Sequence, residues 1–365
     1  MSEWKKGKLG EVLNFGNGKT RPKSEGEFPI YGGNGILGYS YQTNYEGETI
    51  VIGRVGAYCG SVYYENRPIW VSDNALSAKP KGNNNAKFLF YFLKNLGLNQ
   101  FAEGSSHPLV TQTLLNSIDV EISRNKDEQK AIASVLSSLD DKIDLLHRQN
   151  KTLEVMAETL FRQWFMEEAE EDWEEGCLAD IIEFNPKYKF SKGNNAPYLE
   201  MSNVSTTSYS PIGWYNREFN SGVKFKNGDT LFARITPCLE NGKTCFVDFL
   251  DNEEIVGWGS TEYIVMKMKK PFHPFISYII AKNEDFREFA ISCMTGSSGR
   301  QRVQANDIKE YDIRIPPNDI IDKLNKKLSG FLKKLKNNSK QIHTLEKLRD
   351  TLLPKMISGE VRVKI

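Results

Sequence analysis

Two segments of the chain place apolar residues at spacings that alternate between four and three positions. In the first segment these residues are Ile132, Leu136, Leu139, Ile143, Leu146, Leu153, Ala157, Leu160 and Trp164. In the second segment they are Leu324, Leu328, Phe331, Leu335, Ile342, Leu345, Leu352 and Met356. Asn150 interrupts the first series, and Asn338 and Arg349 interrupt the second. A heptad sustained in this way is typical of a coiled coil, so each segment is predicted to be a long helix with a partner along its whole length.

The rest of the chain has the shorter, alternating pattern of β-strands. The runs IVIGRV, TLFARI, CFVDFL and EYIVMKM alternate apolar with polar positions, and GGNG, NGD and ENGK turns separate such runs. This pattern predicts short, mostly antiparallel strands. FLFYFLKNL and ISYIIAKNEDFREFAI have helical period instead, and each is predicted to cover a face of a sheet. The expected fold class is therefore α+β.

The sequence is internally duplicated. WKKGKLGEVLNF, which starts at Trp4, matches WEEGCLADIIEF, which starts at Trp173. Further matches pair ETIVIGRVG with DTLFARITP, VSDNAL with GSTEYI, GSSHPLVTQTLLNSIDVEI with GSSGRQRVQANDIKEYDIRI, and the helical TLEVMAETLF with TLEKLRDTLL. A repeat of this length defines the domain organisation. We predict two similar globular domains at residues 1–123 and 173–315, each followed by a helical spacer, at residues 124–172 and 316–365.

Charge distinguishes the two helical spacers. Residues 124–172 hold 7 basic and 12 acidic residues, whereas residues 316–365 hold 12 basic and 5 acidic residues. Complementary charge beside a coiled-coil seam selects a partner and suppresses self-pairing, so the two helices are predicted to pair with each other. The connecting domain is long enough to allow either orientation. An antiparallel pair would relate the two similar domains by a pseudo-twofold axis, and a helix over residues 132–165 would be about 51 Å long.

Composition excludes several classes of protein. The chain is 39% hydrophobic and 26% charged, as soluble globular proteins are. It has no apolar run of the length that a membrane span needs and no hydrophobic signal-peptide core near its N-terminus, so we expect a cytoplasmic protein. The five cysteines are odd in number and never spaced as CxxC. Neither a disulfide framework nor a metal site is therefore expected.

Catalytic motifs are weak or missing in the sequence. It contains no GxxxxGK[ST] phosphate loop, no GxSxG elbow and no HExxH. NPKY at residues 185–188 is similar to the [ND]PP[YF] motif of adenine methyltransferases, but Lys187 replaces the second proline and no cofactor-binding loop accompanies it. The same positions of the first copy read GNGK. We therefore expect no catalytic residues in this chain.

Two functions fit a duplicated pair of domains on a helical spacer. Such domains can read two half-sites on duplex DNA, or they can form a scaffold that positions other proteins. Arg54 and Arg234 are the best candidates for DNA contacts, because each opens a loop after a β-rich run and both copies keep arginine there. Solvated surface charge is the alternative for any one of the remaining candidates. These are Lys19, Arg21, Lys23, Ser105, Ser106, Lys187, Lys189, Lys192, Lys243, Arg300 and Arg302.

Taken together, the motifs give the chain a family resemblance. Over essentially its full length it resembles the specificity subunit of type I restriction-modification enzymes. The features that carry the resemblance are the W…G.L opening of each domain, DTLFARITPCLENGK with GSTEYIV, DEQKAIASVLSSLDDKIDLL, TLFRQWF and the ending LPKMISGEV. The resemblance implies two target recognition domains that each read half of a split DNA site. It also implies that antiparallel conserved helices, at residues 127–165 and about 319–358, join them.

The resemblance further implies which activities belong to partners. It implies that this subunit is not catalytic and holds no cofactor. Adenine-N6 methylation with S-adenosylmethionine would belong to two modification subunits docked on the helices, and Mg- and ATP-dependent translocation and cleavage to restriction subunits. The acidic–glutamine pair of the family is present as Glu128 and Gln129, whereas the second copy reads Asp319, Ile320 and Ile321 there. That departure leaves open whether both modification subunits dock equivalently.

Overall fold

The structure is a computed structural model that describes residues 4–22, 25–104, 108–167, 170–171 and 173–363. Strands and short helices followed by one long helix form a series that occurs twice along the chain. The predicted α+β fold with two long helices is therefore confirmed. The chain divides into two units, Met1–Asp144 with His343–Ile365 and Leu145–Ile342. This division assigns part of each long helix to each unit, whereas the sequence repeat suggested separate helical segments.

The described residues of the first unit form nine strands, two short helices and a stretch of each of the two long helices. The strands are β1 (Trp4–Lys8), β2 (Leu13–Asn17), β3 (Phe28–Gly32), β4 (Gly35–Ser40), β5 (Thr49–Gly53), β6 (Val62–Glu65), β7 (Trp70–Val71), β8 (Ala75–Pro80) and β9 (Asp119–Ser123). The helices are α1 (Ala86–Leu96), α2 (Gln112–Ser117) and the N-terminal part of α3 (Lys126–Arg162).

The strands of the first unit form two sheets and one separate pair. One sheet has the antiparallel order β2-β8-β5-β6, and the other has the order β4-β3-β7, in which β3 and β7 are parallel. Strands β1 and β9 form a separate antiparallel pair. Helix α1 covers the first sheet as its periodicity predicted, with Phe88, Leu89 and Leu93 fully buried beside Ile50 and Ile52.

The second unit contains a similar series of strands and helices. Its strands are β10 (Glu174–Cys177), β11 (Ile182–Phe184), β12 (Asn195–Leu199), β13 (Tyr215–Glu218), β14 (Val223–Phe225), β15 (Asp229–Ala233), β16 (Thr244–Phe246), β17 (Gly257–Gly259), β18 (Tyr263–Met268) and β19 (Asp312–Ile315). Its helices are α4 (Leu178–Ile181), α5 (Ile276–Lys282), α6 (Glu284–Ser292), α7 (Ala305–Ile308) and the N-terminal part of α8 (Asn318–Ile357).

The strand order of the second unit is that of the first. The order β11-β18-β15-β16 reproduces β2-β8-β5-β6, and β13-β12-β17 reproduces β4-β3-β7 with its parallel pair. Strand β14 extends the second sheet beyond β17, where the first unit has only an isolated bridge between Tyr45 and Ile69. Strands β10 and β19 pair as β1 and β9 do. The internal duplication predicted from the sequence is thus a duplication of topology.

One predicted helix is two helices in the structure. The run ISYIIAKNEDFREFAI forms α5 and α6, with Asn283 between them. The Asn283 side chain accepts a hydrogen bond from the backbone N–H of Phe286 and so caps α6. Asparagine is favoured as an N-cap because its oxygen satisfies a donor that the first helical turn leaves free. The apolar periodicity continues through the break, which is why the pattern alone suggested one helix.

The apolar faces of the two long helices are covered inside the units. All of the predicted seam residues are buried or half-buried: Leu136, Leu139, Ile143, Leu146, Leu153, Leu160, Leu328, Phe331, Leu335, Ile342, Leu345 and Leu352. In the first unit Arg349 Nη1 donates to Asp140 Oδ1 at 2.9 Å, and Arg362, which follows α8, lies with its Nε 3.8 Å from Glu128 Oε1 near the start of α3. The earlier residue of α3 is therefore paired with the later residue of the C-terminal segment, so the two long helices are antiparallel in this unit. Among the described residues, no helix is both long and apolar enough to cross a membrane.

Tyr209 joins both helices to the globular part of the second unit. Its hydroxyl lies 3.1 Å from Ser339 Oγ on α8, and its backbone N–H donates to Glu154 Oε1 on α3 at 3.3 Å. The other oxygen of Glu154 accepts a hydrogen bond from the Tyr278 hydroxyl of α5 at 2.7 Å. Burial raises the pKa of Glu154. This carboxyl costs stability when charged, and the two hydrogen bonds offset part of that cost.

Gln129 performs a similar anchoring role in the first unit. It is buried, accepts a hydrogen bond from the backbone N–H of Asn85 at 2.7 Å and donates to Asn84 Oδ1 and Ser123 O. Its neighbour Glu128 accepts a hydrogen bond from Ser123 Oγ. Gln129 thus holds the start of α3 against the segment before α1, and Glu128 holds it against the end of β9.

A different amide anchors the second unit. Asn325, which lies one turn further along its helix, accepts a hydrogen bond from the backbone N–H of His273 and donates to Pro271 O. Both of its contacts, at 2.8 Å, are to the loop before α5. The missing glutamine of the second copy therefore has a local structural substitute.

Replacement of Asp229 by asparagine is expected to remove a pH dependence of stability between about pH 4 and pH 7. Burial raises the pKa of Asp229 from 3.8 to about 7, although the Tyr188 hydroxyl and the Lys226 N–H donate to it. The folded state therefore holds a proton that the unfolded chain releases. The contribution of this group to the free energy of unfolding is complete below pH 4 and is lost as the pH rises to about 7, a change of about 4 kcal/mol.

Urea denaturation at pH 4, 5.5 and 7 measures this effect. The difference in free energy of unfolding between Asp229→Asn and the wild type should shift in favour of the variant with rising pH. A difference that stays constant over that range would contradict the raised pKa.

Candidate nucleic-acid interface

Three loops of the first unit meet at one surface. They are residues 33–34 between β3 and β4, residues 54–61 between β5 and β6, and residues 72–74 between β7 and β8. The backbone N–H of Arg54 donates to Asn74 O at 3.0 Å, which joins the second loop to the third. The Tyr63 hydroxyl donates to Gly33 O at 3.3 Å, which joins the first loop to β6. We refer to these loops as the three-loop surface of the first unit.

The second unit has the corresponding surface. Its loops are residues 200–214 after β12, residues 234–243 between β15 and β16, and residues 260–262 between β17 and β18. The backbone N–H of Arg234 donates to Glu262 O at 3.0 Å, as that of Arg54 does to Asn74 O. Lys243 Nζ donates to Met201 O at 2.7 Å and so ties the first loop to the second.

The two predicted arginines occupy the same point of the repeated fold. The Arg54 carbonyl accepts a hydrogen bond from Val110 N at 2.9 Å, and the Arg234 carbonyl accepts one from Val303 N at 3.0 Å. With the bonds to Asn74 and Glu262, each arginine has the same two backbone partners. The backbone conformation at both positions is therefore determined by the fold, and the side chains start from equivalent places.

The side chains of the two arginines have different surroundings. Within the described part of the chain, the Nε atoms of both Arg54 and Arg234 are buried without a hydrogen-bond partner. Arg234 Nε lies 4.0 Å from Glu262 Oε2, and its Nη2 donates to Gln304 Oε1 at 2.9 Å. A guanidinium has five N–H donors in a planar fork, so both arginines keep donors for an incoming ligand.

Two other predicted residues are engaged in local contacts. Arg302 Nε and Nη2 both donate to the Glu262 carboxylate, the latter at 2.8 Å, and Arg302 Nη1 donates to Arg300 O. The carboxylate raises the pKa of Arg302. The Lys243 ammonium donates its hydrogen bond to Met201 O, as described above. The sequence shows neither partner, so both side chains were indistinguishable there from free surface cations.

Several predicted residues lie outside the three-loop surfaces. Lys19 borders the surface, because its backbone pairs with Ser72 of the third loop, and the guanidinium of Arg21 lies over Gly38 of β4. Lys187, Lys189, Lys192 and Arg300 are exposed on their own segments. Lys23, Ser105 and Ser106 lie outside the described residues. All of these residues that the structure describes remain candidates for phosphate contacts, because their side chains are exposed: Lys19, Arg21, Lys187, Lys189, Lys192 and Arg300.

The structure adds apolar residues that the sequence did not single out. Strands β4 and β13 are the equivalent outer strands of the second sheets, and each carries exposed large apolar side chains at or beside it. These side chains are Ile36, Leu37, Tyr39 and Tyr41 in the first unit, and Ile212, Trp214 and Tyr215 in the second. A contiguous exposed apolar patch marks an interaction site more often than a scattered residue does. The alternating runs named from the sequence include neither β4 nor β13, and alternation does not show which strand lacks a neighbour.

The aromatic side chains of the second patch are held by their own contacts. Trp214 packs on Phe249, with ring centroids 4.5 Å apart, and Tyr215 meets the edge of Tyr198 at 5.4 Å. The guanidinium of Arg217 lies 4.9 Å from the Tyr198 ring centroid. These contacts hold planar surfaces in place while leaving them exposed, which is the form that base stacking and apolar contact to thymine require.

Comparisons with known proteins assign the family. The model of the type I restriction modification DNA specificity domain matches residues 1–155 and 170–349. The specificity subunit of the type I restriction enzyme MjaIX from Methanocaldococcus jannaschii is 24% identical over 356 residues, covering 84% of this chain and 76% of that protein. The EcoprrI specificity subunit from Escherichia coli is 28% identical over 146 residues, covering 38% of this chain and 36% of that protein.

A solved structure shows the same fold. The crystal structure of the type I restriction-modification S subunit from M. genitalium has a TM-score of 0.64 at 19% identity, covering 97% of this chain and 96% of that one. The repeated topology, the paired long helices and the two matches of the family model agree. The chain therefore belongs to the family of type I restriction modification DNA specificity proteins.

Proposed function

We propose that this chain is the DNA-recognition subunit of a type I restriction-modification complex, in which each unit reads one half of a bipartite duplex site through its three-loop surface. One observation supports this most directly. The same backbone hydrogen bonds hold Arg54 in one unit and Arg234 in the other, while the neighbouring side chains differ. Because the backbone geometry is shared, the two units would bind duplex DNA in the same orientation. Because the loop side chains differ, they would read different bases.

The exposed apolar patches extend this proposed contact. In the first unit the β3–β4 turn belongs to the three-loop surface and leads directly into Ile36 and Leu37. In the second unit the backbone N–H of Ile212 donates to Asn203 O inside the corresponding loop. Apolar side chains recognise the thymine methyl group, so a patch continuous with the loops would add readout that arginine alone does not supply.

The helices are the proposed spacer and docking surface for two modification subunits. Helix α8 carries a row of exposed lysines: Lys323, Lys326, Lys327, Lys333 and Lys334. A charged exposed face beside a buried seam leaves the pair free to bind further subunits without losing its own contacts. In this proposal the chain itself is not catalytic and holds no cofactor. S-adenosylmethionine acts in the modification subunits, and ATP and Mg act with the restriction subunits.

Genome-wide mapping of methylated adenine tests the proposed function. The chain is expressed with the modification subunits encoded beside it in a host that lacks adenine methylation. A bipartite motif, absent when this gene is omitted, is the expected result. Methylation without any motif, or no methylation despite an assembled complex, would indicate a scaffold instead of a DNA reader.

The chain alone is expected to bind its DNA site weakly and with little sequence preference. Residues 1–123 hold 12 basic and 11 acidic residues and residues 173–315 hold 17 and 19, so neither recognition domain carries the excess positive charge of isolated DNA-binding proteins. Phosphate contacts dominate affinity, and the modification subunits would supply many of them. Their addition should tighten binding on the order of 100-fold in a gel-shift titration. Tight, specific binding by the chain alone would contradict this expectation.

A further inference from the structure

The two three-loop surfaces differ at one equivalent position. Asn74 O and Glu262 O accept the same backbone hydrogen bond, from Arg54 N and Arg234 N, each at 3.0 Å. Their side chains therefore leave the backbone at the same place in the repeated fold. One unit presents an amide there and the other presents a carboxylate.

A second position changes together with the first. Leu109 forms isolated antiparallel bridges with Val55 and Glu103, and Arg302 forms the equivalent bridges with Ile235 and Thr295. Leu109 and Arg302 thus correspond in the two units. The acid at position 262 and the base at position 302 occur together in the second unit, and both are replaced by uncharged residues in the first.

The charged pair has a defined geometry. Arg302 Nε lies 3.1 and 3.0 Å from the two oxygens of Glu262, and Arg302 Nη2 lies 2.8 Å from Oε1. Arg234 Nε lies 4.0 Å from Oε2. The Glu262 side chain is 24% exposed, so its carboxylate is oriented by the arginines and still reaches solvent.

A purely structural role does not explain the pair well. The first unit forms the same backbone frame with Asn74 and Leu109, so the frame does not depend on the charges. What the pair does change is the pattern of donors and acceptors that the second surface offers to a ligand.

We propose that Glu262 is a specificity-determining residue of the second unit, held by Arg302 so that it accepts a hydrogen bond from the N4 amino group of a cytosine in the second half-site. This inference rests on the proposed function. An ionised carboxylate only accepts hydrogen bonds, and the amino group of cytosine is the donor that the major-groove edge of a G·C pair presents. Asn74, which both donates and accepts, gives the first unit a different preference at the same place.

Glu262→Gln tests the proposal in the assembled complex. The variant keeps the shape and an acceptor for Arg302, but it loses the charge and gains an NH₂ donor, which suits adenine. With the wild-type motif mapped first, methylation rates are measured on duplexes in which each base pair of the second half-site is replaced in turn. At one G·C position the preference for the cognate base should fall at least tenfold, with adenine gaining most, and the first half-site should be unchanged.

Matched variants separate a reading role from a loss of charge or structure. Glu288→Gln removes an exposed acid from α6 of the second unit, outside the three-loop surface, and should leave the motif unchanged. Asn74→Ala should alter only the first half-site. Thermal unfolding of Glu262→Gln should match the wild type, and Glu262→Ala should relax the same single position.

Three outcomes would overturn the proposal. They are an unchanged preference in Glu262→Gln, an effect shared by both half-sites, and relaxation confined to an A·T pair. Each can arise while the wild-type complex still methylates a bipartite motif, in which case the proposed function stands without this inference. A wild-type complex with no motif would instead refute the proposed function itself.

Discussion

Alanine at Arg54 is expected to reduce methylation of sites that depend on the first half-site, and alanine at Arg234 is expected to do the same for the second. Each arginine lies in the same backbone frame, and its guanidinium has more N–H donors than its contacts within the unit use. One bidentate arginine–guanine contact contributes about 1–3 kcal/mol of discrimination, so rates on cognate duplexes should fall roughly 10- to 100-fold. Methylation assays on duplexes with one half-site altered measure the effect for each variant.

The two variants serve as controls for each other. Neither side chain belongs to the helix seam, so both complexes should assemble with the modification subunits as the wild type does. Lys94→Ala removes an exposed cation from α1 of the first unit and should leave methylation unchanged. Loss of assembly in both arginine variants would assign the two residues a structural role instead.

Aspartate at Leu335 is expected to unfold the second unit or to destabilise it by about 4 kcal/mol or more. The side chain is fully buried in the cluster that also contains Phe161 and Leu328 and joins both helices to the core of the unit. A charge at that place has no partner and loses the apolar contacts as well. Chemical denaturation followed by circular dichroism measures the change, and methylation should be lost with it.

Lys334→Asp is the matched control for this substitution. It places the same new carboxylate on the preceding, exposed position of α8. The control should remain folded with a midpoint near that of the wild type. Equal stability of Leu335→Asp and the wild type would mean that this face of α8 is not buried as described.

The helices were the most predictable part of the fold. Heptad spacing is local information, and each seam position, apolar or polar, lies within four residues of the next. Their orientation could not be predicted from the residues, because the connecting domain allows both directions. The pairs Asp140–Arg349 and Glu128–Arg362 of the first unit, whose members lie far apart in the sequence, show the orientation in the structure.

The order of the strands was not predictable in the same way. The alternating runs identified β5, β15 and β18 as strands, but pairing joins residues that are far apart in the sequence. The parallel pair of β3 and β7 has no local signal, and the mostly antiparallel pattern would not suggest it. The repeat predicted only that the two units share one strand order, and it did not predict which order that is.

The candidate site was predictable where the repeat preserved a residue. Arg54 and Arg234 were found by comparing the two copies, since a residue kept among changing neighbours stands out. Glu262 was missed because it has no counterpart of the same charge in the first copy, and its partner Arg302 is 40 residues away. A coupled replacement at two distant positions becomes visible only when the fold brings them together.

The division of each long helix between the two units has an evolutionary consequence. Each unit contains its own stretch of both helices, from the joint with its globular part to the boundaries at 144–145 and 342–343. A genetic crossover at those boundaries would transfer a complete hydrophobic core with its covering helices. New combinations of half-site preference could therefore arise by recombination between relatives, without any repacking of either parent's interior.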